Sequence, residues 1–180
     1  MTEPGPPAPR LPLVDAPHDP LARDYFAGLA SSQRRILNLH RMMAHAPALM
    51  KASGDMASAF RGDIMLARAL VELVVLRTAQ VTDCDYIWTR HLDLARACGV
   101  TERQIAAISR WPQDAAFTPA QKAALGFAET IAAGKPVADA DFALLRRDFS
   151  PREIVELTML VGFYVSTAIF IKSLAVPAET

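Results

Sequence analysis

The apolar positions of this chain repeat at the three- and four-residue spacing of α-helices, and no segment shows the alternation of a convincing β-strand. Residues that commonly begin helices mark the boundaries between the segments. The helices are predicted to begin near Pro20, Ser31, Pro47, Asp63, Thr82, Thr101, Thr118 and Ser150, and the last runs to about Leu174. The fold class predicted is therefore all-α.

Several boundaries carry specific signals. Thr82 with Asp85 fits a capping box, which predicts that Cys84 lies in the first turn of its helix. Thr118-Pro119-Ala120-Gln121 and Ser150-Pro151-Arg152-Glu153 each supply a cap, a proline in the first turn and a partner for the cap. The helix from Asp63 is predicted to run through Gln80, and glycines are predicted to close three others, at Gly62, Gly99 and Gly134.

One predicted helix carries a carboxylate at a position where burial is almost forced. Glu72 interrupts the apolar run 66–76. An ionised carboxylate taken out of water must pair, form hydrogen bonds or take up a proton. A thiol, a phenol, an indole and an imidazole follow between Cys84 and His91, and these two residues, seven apart, share one face of a helix. Such groups are the ingredients of a small proton-transfer site.

Composition predicts assembly. Apolar residues make up 52% of 180 residues, more than one domain of this size needs for its core. We therefore expect a homo-oligomer (a dimer, trimer or hexamer) with the helix from Ser150 to Leu174 in or near the interface. Residues 154–171 also approach the length of a membrane span, but Glu156 and three hydroxyl side chains lie within them, so an oligomer centre is the favoured interpretation and no membrane partner is expected.

The charge balance and the cysteine content argue against nucleic-acid-binding proteins and against secreted, disulfide-rich proteins. Nineteen basic and nineteen acidic residues balance, and no basic cluster exceeds a pair, which argues against nucleic acid as a partner. Two cysteines do not make a secreted disulfide framework, and no signal peptide is visible, so a cytoplasmic location is expected. Residues 1–19 are predicted to be a proline-rich arm, disordered or draped on the surface, ahead of a single helical domain over 20–176.

The sequence also contains a faint internal duplication. With a shift of 84 residues, six positions in 19 are identical. Arg68, Val71, Glu72, Leu73, Leu76 and Val81 fall on Arg152, Val155, Glu156, Leu157, Leu160 and Val165. Alanines stand in the second copy where Cys84 and His91 stand in the first, so the first copy is predicted to carry chemistry and the second to be scaffold.

No cofactor is predicted. His40 and His45 are five residues apart, off a common helix face, and belong to no metal-ligand pattern. The sequence contains no glycine-rich phosphate loop or dinucleotide fingerprint. A small-molecule substrate without a metal or nucleotide is therefore expected.

The motif resembles the carboxymuconolactone decarboxylase family, which includes the alkylhydroperoxidase D-like proteins. The resemblance rests on Glu72, Cys84, Tyr86, Trp88, His91, Gly99 and the segment Thr101-Glu102-Arg103-Gln104-Ile105, and on the flanking stretches 38–47 and 150–157. It covers about residues 20–176 and implies an all-helical homo-oligomer in which the two helices of the motif form an antiparallel pair.

The resemblance divides between two activities. In the family's peroxidases a glutamate precedes Cys-x-x-Cys and a histidine, and the second cysteine attacks the peroxide. Glu72, Cys84 and His91 match that pattern, but Ile87 replaces the attacking cysteine and cannot form a sulfenate or a disulfide. Tyr86 stands where some peroxidases have histidine. Decarboxylase members lack the cysteine pair and use acid–base groups on a small carboxylated lactone.

The catalytic residues predicted are Glu72, Cys84, Tyr86 and His91. His91 is the predicted general acid or base, Glu72 its orienting partner, and Tyr86 or Cys84 a proton donor, for decarboxylation or isomerisation. Arg68 and Arg90 are candidates to hold a substrate carboxylate. Two alternatives stay open: a thiol peroxidase using Cys84 alone, and a non-catalytic oligomeric binding protein. Cys98 is predicted to be inert packing, because fourteen residues separate it from Cys84.

Overall fold

A computed structural model describes residues 8–179, and over these residues it contains nine α-helices, one short 3-10 helix and no β-strand. The predicted all-α class is confirmed. The helices are α1 (Pro20–Ser31), α2 (Asn38–Met43), α3 (Pro47–Gly62), α4 (Arg68–Val81), α5 (Asp85–Ala97), α6 (Glu102–Ala107), α7 (Pro119–Ala132), α8 (Asp139–Asp148) and α9 (Pro151–Leu174), with the 3-10 helix at Ile108–Arg110.

Side-chain caps form where the sequence predicts them for α1, α6 and α7. The carboxylate of Asp19 accepts from the first-turn amides of α1. Thr101 and Thr118 each form a reciprocal capping box with the glutamine three residues on. Gly99 and Gly134 follow helix ends with φ of +91° and +67°, the left-handed region that glycine enters without strain.

Two predicted helix starts are wrong. Ser32 ends α1 instead of beginning a helix: its hydroxyl donates to the carbonyl of Gly28, and the next helix begins only at Asn38. Asp63 ends α3, and α4 begins five residues later at Arg68. In both cases a polar residue that can cap a helix start satisfies the end of the preceding helix.

The predicted capping box of Thr82 and Asp85 does not form. The hydroxyl of Thr82 donates to the carbonyl of Thr78 at 2.8 Å and so completes α4. Asp83 takes a φ of +50°, and Cys84 becomes the N-cap of α5 with no side-chain cap hydrogen bond. Cys84 therefore lies one residue before the first turn of α5, not in it.

Residues 8–63 and 171–179 belong to one compact unit. Its core is a cluster of Ala22, Phe26, Ala44 and Met50. The described part of the proline-rich arm is hydrogen-bonded within this unit, since the amide of Val14 donates to Arg41 and Nε2 of His45 lies 2.8 Å from the carbonyl oxygen of Pro12. This contact gives His45 a structural partner. Residues 1–7 of the predicted arm lie outside the described residues.

Residues 64–170 form the second unit, which contains the predicted site. α4 is buried on nearly every side and packs against α5 and α7. The core cluster comprises Leu73, Leu76, Ala95, Val100, Ala107, Ile108, Phe117 and Leu125. α8 was not predicted from the sequence, because Leu145 alone is buried among its ten residues and the helical apolar pattern is weak.

α9 is the one helix in residues 8–179 that has the length and hydropathy to cross a membrane. Its most apolar 18-residue window has a mean hydropathy of 2.0, and 39% of that window is buried. Apolar side chains therefore remain in contact with solvent along this helix.

Candidate proton-transfer site

The site is built on Glu72, in the second turn of α4. Its side chain is 2% exposed, and the residues on either side of it from Leu70 to Leu76 are buried as well. Helix α4 begins with Arg68, which places a guanidinium one turn before the carboxylate on the same face. The carboxylate thus enters an apolar environment with a cation already positioned beside it.

Both oxygens of Glu72 have partners. Arg68 Nη2 donates to Oε1 at 3.1 Å, and His91 Nδ1 lies 2.8 Å from Oε2. Because only residues 82–84 join α4 to α5, the contact between residues 72 and 91 fits the antiparallel pair that the resemblance implied. The side chain of Arg68 is 39% exposed, so one partner of the carboxylate reaches solvent while the carboxylate itself does not.

His91 is held on two sides. Its ring is 15% exposed, and the Tyr164 ring of α9 packs edge-on against it, with centroids 5.0 Å apart and planes at 87°. Phe163 makes a similar edge contact with Tyr164 at 5.3 Å. Because Glu72 occupies Nδ1, Nε2 on the opposite edge of the ring is the nitrogen that can exchange a proton with a bound molecule.

Cys84, Tyr86 and Ile87 are buried at the start of α5, with exposures of 2%, 9% and 2%. The amide of Cys84 donates to the carbonyl of Ala79. The hydrogen bonds that fix Glu72 involve Arg68 and His91, so these two residues form the centre of the site together with the carboxylate. Cys84 and Tyr86 stay predicted members of it.

The second copy of the internal repeat uses its carboxylate differently. Arg152 Nε donates to Glu156 Oε1 at 2.8 Å, four residues apart like Arg68 and Glu72. The other oxygen of Glu156 accepts the backbone amides of Met65 and Leu66 at 2.8 and 3.2 Å. In the first copy the arginine–glutamate pair holds an imidazole, whereas in the second it anchors the segment before α4.

Glu72 and His91 are called the dyad below. The other residues considered from the sequence take no part in the hydrogen bonds of the dyad. Arg90 is exposed on α5, and Cys98 is the C-cap residue of that helix, at the opposite end from Cys84. Nδ1 of His40 accepts the amide of Leu37 at the start of α2. Over residues 8–179 no group of three histidine, cysteine, aspartate or glutamate side chains is placed to hold a metal ion.

Two contacts of the Glu72–His91 pair, with Arg68 and with Tyr164, were not predicted from the sequence. Arg68 was considered for a substrate carboxylate, but its spacing of four residues from Glu72 already predicts an ion pair within one helix. Tyr164 lies 73 residues beyond His91, and helical periodicity cannot show which distant ring packs on an imidazole.

The central part of the chain matches a known protein family. Residues 47–130 match the model of the carboxymuconolactone decarboxylase family, a span that includes Glu72, Cys84, Tyr86 and His91. This match supports the carboxymuconolactone decarboxylase and alkylhydroperoxidase D-like superfamily as the one that the chain resembles. The recognition made from the sequence is thereby confirmed.

Other known proteins are similar to this chain in sequence or in structure at low sequence identity. The uncharacterized protein YdfG of Bacillus subtilis is 28% identical over 119 residues, which are 65% of this chain and 80% of YdfG. The alkylhydroperoxidase AhpD core protein of Ralstonia eutropha has a TM-score of 0.80 at 20% identity, covering 96% of this chain and 93% of that one. The debrominase Bmp8 has a TM-score of 0.78 at 15% identity, covering 93% and 91%.

Proposed function

We propose that this protein is an enzyme that moves protons on a small organic substrate, by decarboxylation or isomerisation, with His91 as the acid or base. The observation that supports this most is the buried Glu72–His91 pair, with 2.8 Å between Oε2 and Nδ1. A carboxylate on Nδ1 orients the imidazole, fixes its tautomer and stabilises the imidazolium. Arg68 donates a hydrogen bond to the other oxygen of that carboxylate.

The proton then moves at Nε2. In a decarboxylation the bond to the substrate carboxylate breaks, its electron pair enters the adjacent conjugated carbonyl system, and the imidazolium gives its Nε2 proton to the carbon that receives charge. Solvent returns a proton to the ring afterwards. In an isomerisation the neutral ring removes a proton from one carbon and returns it to another. Neither sequence needs an electron acceptor.

The surroundings of the dyad favour a small substrate with a carboxylate or lactone group. Tyr164 and Phe163 provide an aromatic wall beside the imidazole. The side chain of Arg68 is 39% exposed beside Glu72, and we propose it as the cation for a substrate carboxylate. The thiol of Cys84 and the phenol of Tyr86 are proposed to supply a second proton.

The test is an assay in deuterated water on a panel of carboxylated γ-lactones and their unsaturated isomers, which reads carbon dioxide release and deuterium incorporation by NMR. His91→Gln is expected to lower the rate by about 10²–10⁴-fold, the usual contribution of general acid–base catalysis. Glu72→Gln is expected to give a smaller loss, because the imidazole remains. A His91→Gln protein as active as the parent would overturn the proposal.

Glu156→Gln is the matched control. Like Glu72→Gln, it removes a carboxylate that pairs with the arginine four residues before it, at the equivalent position of the second copy. Glu156 differs from Glu72 because its other oxygen accepts backbone amides and not an imidazole. Its rate is expected to stay within about twofold of the parent, since groups that touch neither substrate nor reacting atoms contribute little to the barrier.

A second candidate function is thiol chemistry at Cys84. The observation in its favour is the position of this buried thiol at the N-cap of α5, where the helix dipole favours a thiolate. The debrominase of the same fold has been solved as a cysteine-to-alanine variant with tribromopyrrole. Ile87 opposes a peroxidase cycle, which needs a second thiol. Rapid loss of the Cys84 thiol with one equivalent of peroxide at neutral pH would favour this candidate.

We also propose that the protein acts in the cytoplasm as a homo-oligomer. The exposed apolar residues of α9 support assembly: Val155 is 62%, Met159 48% and Ile169 61% exposed.

A further inference from the structure

A cleft separate from the Glu72–His91 dyad lies in the second unit, beside α7. Its volume is about 610 Å³, within the range of small-molecule sites. Small side chains of α7 line it along the helix, at the spacing of one face: Ala123, Gly126, Thr130 and Ala133. Glu72, Cys84, Tyr86 and His91 are not among the residues that line this cleft.

Trp111 gives the cleft a fixed aromatic wall. Its Nε1 donates to Glu129 Oε2 at 2.9 Å, and a Cβ placed on Gly126 would lie 3.0 Å from the edge of the indole. The glycine therefore lets the ring lie against α7, and the carboxylate fixes its direction. An immobilised indole provides a large apolar contact area to a bound molecule at little cost in side-chain entropy.

The carboxylate that holds Trp111 is paired with a cation, Arg77. Arg77, 13% exposed and not part of the lining, places Nη2 at 2.8 Å from Glu129 Oε2. Burial acts to raise the pKa of Glu129, but the hydrogen bonds from Trp111 and Arg77 outweigh it and hold the pKa below its ordinary 4.5. Glu129 is thus a fixed, compensated charge and does not repel an anion entering the cleft.

The cations that line the cleft are not all compensated in this way. α7 and α8 are consecutive, in contact and joined by a short loop, so Lys135 and Asp141 lie at the loop end and Lys122 and Arg147 at the other end. Lys122 Nζ donates to the carbonyl of Pro112, which leaves two of its three protons. Arg147 is paired with the adjacent Asp148, outside the lining. The end with Lys122 and Arg147 contains no lining carboxylate.

We propose that the cleft binds a small amphipathic organic anion, with its carboxylate at Lys122 and Arg147 and its apolar or aromatic body over Gly126 against Trp111. The site is independent of the proposed acid–base chemistry. Charge-assisted hydrogen bonds at one end and an aromatic wall along the body give it both affinity and orientation.

Indole fluorescence tests this directly. The sequence contains two tryptophans, so in a Trp88→Phe protein Trp111 is the single indole. Titration with phenylbutyrate is expected to give a saturable change in that emission. The neutral analogue phenylbutanol is expected to bind about tenfold or more weakly, because it cannot form the charge-assisted hydrogen bonds.

Two lysine variants in the same background locate the carboxylate. Lys122→Gln is expected to weaken phenylbutyrate binding by about tenfold, whereas Lys135→Gln, at the loop end, is expected to change it by less than about twofold. Circular dichroism confirms that each variant is folded. No saturable change, equal affinity for the alcohol, or equal losses in the two lysine variants would overturn the proposal. Adding Glu72→Gln should leave the titration unchanged.

Discussion

At the scale of residues, the chain uses one arginine–glutamate arrangement twice. Arg68 with Glu72 and Arg152 with Glu156 each span one helical turn, and in each glutamate the second oxygen is the one that differs in use. Glu72 directs it to His91, and Glu156 directs it to backbone amides. The proposed catalytic role of Glu72 and the structural role of Glu156 therefore differ in the partner of the second oxygen. In both cases that partner comes from outside the helix that carries the glutamate.

Removing the imidazole should leave Glu72 buried with one partner fewer. We expect His91→Ala to lower the free energy of unfolding by about 1–3 kcal/mol, the cost of leaving a buried acceptor unsatisfied. Arg90→Ala, at the exposed neighbouring position, should change it by no more than about 0.5 kcal/mol. Urea denaturation of the three proteins gives the comparison. Equal effects of the two substitutions would mean that the His91 contact contributes nothing to stability.

How far the sequence predicts the site depends on distance along the chain. The burial of Glu72 follows from the apolar residues around it in the sequence. The choice of His91 as a site residue follows from its seven-residue spacing from Cys84, which places both on one helix face. Tyr164 does not, because its contact with His91 depends on how α9 packs in the second unit. The roles of Cys84 and Tyr86 stay predictions.

At the scale of helices, the start of α5 separates this protein from the peroxidase pattern. Cys84 caps the helix and Ile87 occupies its third residue, both 2% exposed. Ile87→Cys would place two thiols one turn apart at a helix N-terminus, within reach of a disulfide. We expect this variant to gain dithiol-dependent peroxide turnover that the parent lacks.

Ile87→Ser is the matched control for that gain, since it makes a side chain of similar size without a thiol. Turnover is measured as peroxide consumption in the presence of dithiothreitol. A parent that already consumes peroxide as fast as the cysteine variant would reverse the order of the two proposed functions.

The segment before α4 depends on the charge of Glu156. Burial acts to raise the pKa of this carboxyl, but hydrogen bonds from Arg152, Met65 and Leu66 outweigh it and hold the pKa below the ordinary 4.5. The unfolded chain therefore takes up the proton first as the pH falls. The stabilisation is complete above about pH 5 and is lost as the pH falls through the folded pKa.

Glu156→Gln should remove that pH dependence. We expect the melting temperature of the variant to fall less steeply than that of the parent below about pH 5, because a glutamine has no proton to take up. At neutral pH the variant should melt lower than the parent. Thermal melts across the acid range check both statements, and parallel curves for the two proteins would show that Glu156 is not a source of acid sensitivity.

Helices are predictable from the sequence where a cap has one possible use. Thr101 and Thr118 precede their helices with the glutamine partner in place, and both capping boxes form. Ser32, Asp63 and Thr82 each follow one helix and precede another, and in the structure each ends the first. Local sequence does not decide between these uses, because loop length and tertiary hydrogen bonds determine where the next helix begins.

At the scale of the whole molecule, α9 carries an exposed seam along which we expect a second copy of the chain to pack. Val155, Met159, Gly162, Ser166 and Ile169 are exposed at alternating spacings of four and three residues, the pattern of a coiled-coil face. A Cβ on Gly162 would meet no atom within 4 Å, apart from its own helix backbone and chain neighbours, among residues 8–179. The glycine is therefore not required by packing within the described chain.

Four of the five seam residues, Met159, Gly162, Ser166 and Ile169, are symmetric about position 164, which favours an antiparallel pair. In that register Met159 lies opposite the second copy's Ile169, and Gly162 opposite its Ser166, so the small residues meet at the centre. A parallel pair would set Lys172 beside Lys172, whereas the antiparallel register about position 164 brings it level with Glu156 of the other helix.

We expect the parent protein to be a homodimer, at twice the chain mass of 19.6 kDa, without detergent. Ile169→Asp should give a folded monomer, because burying an unpaired charge at the seam costs several kcal/mol. Leu49→Asp, an exposed apolar position on α3, should stay dimeric. Light scattering with circular dichroism measures both. A parent that is monomeric, or that needs detergent to stay in solution, would contradict assembly through α9.

The proposed function requires Glu72 to fix His91 with its proton on Nδ1 and its Nε2 available for catalysis. Nitrogen-15 NMR of the imidazole measures this without a substrate. In the neutral ring we expect Nδ1 to carry the proton and Nε2 to be unprotonated. Glu72→Leu, which removes the acceptor, should reduce the Nδ1-protonated fraction, and Glu156→Leu should leave the His91 signals unchanged. A neutral His91 protonated on Nε2 in the parent protein would contradict the proposed role of Glu72 in holding the proton on Nδ1.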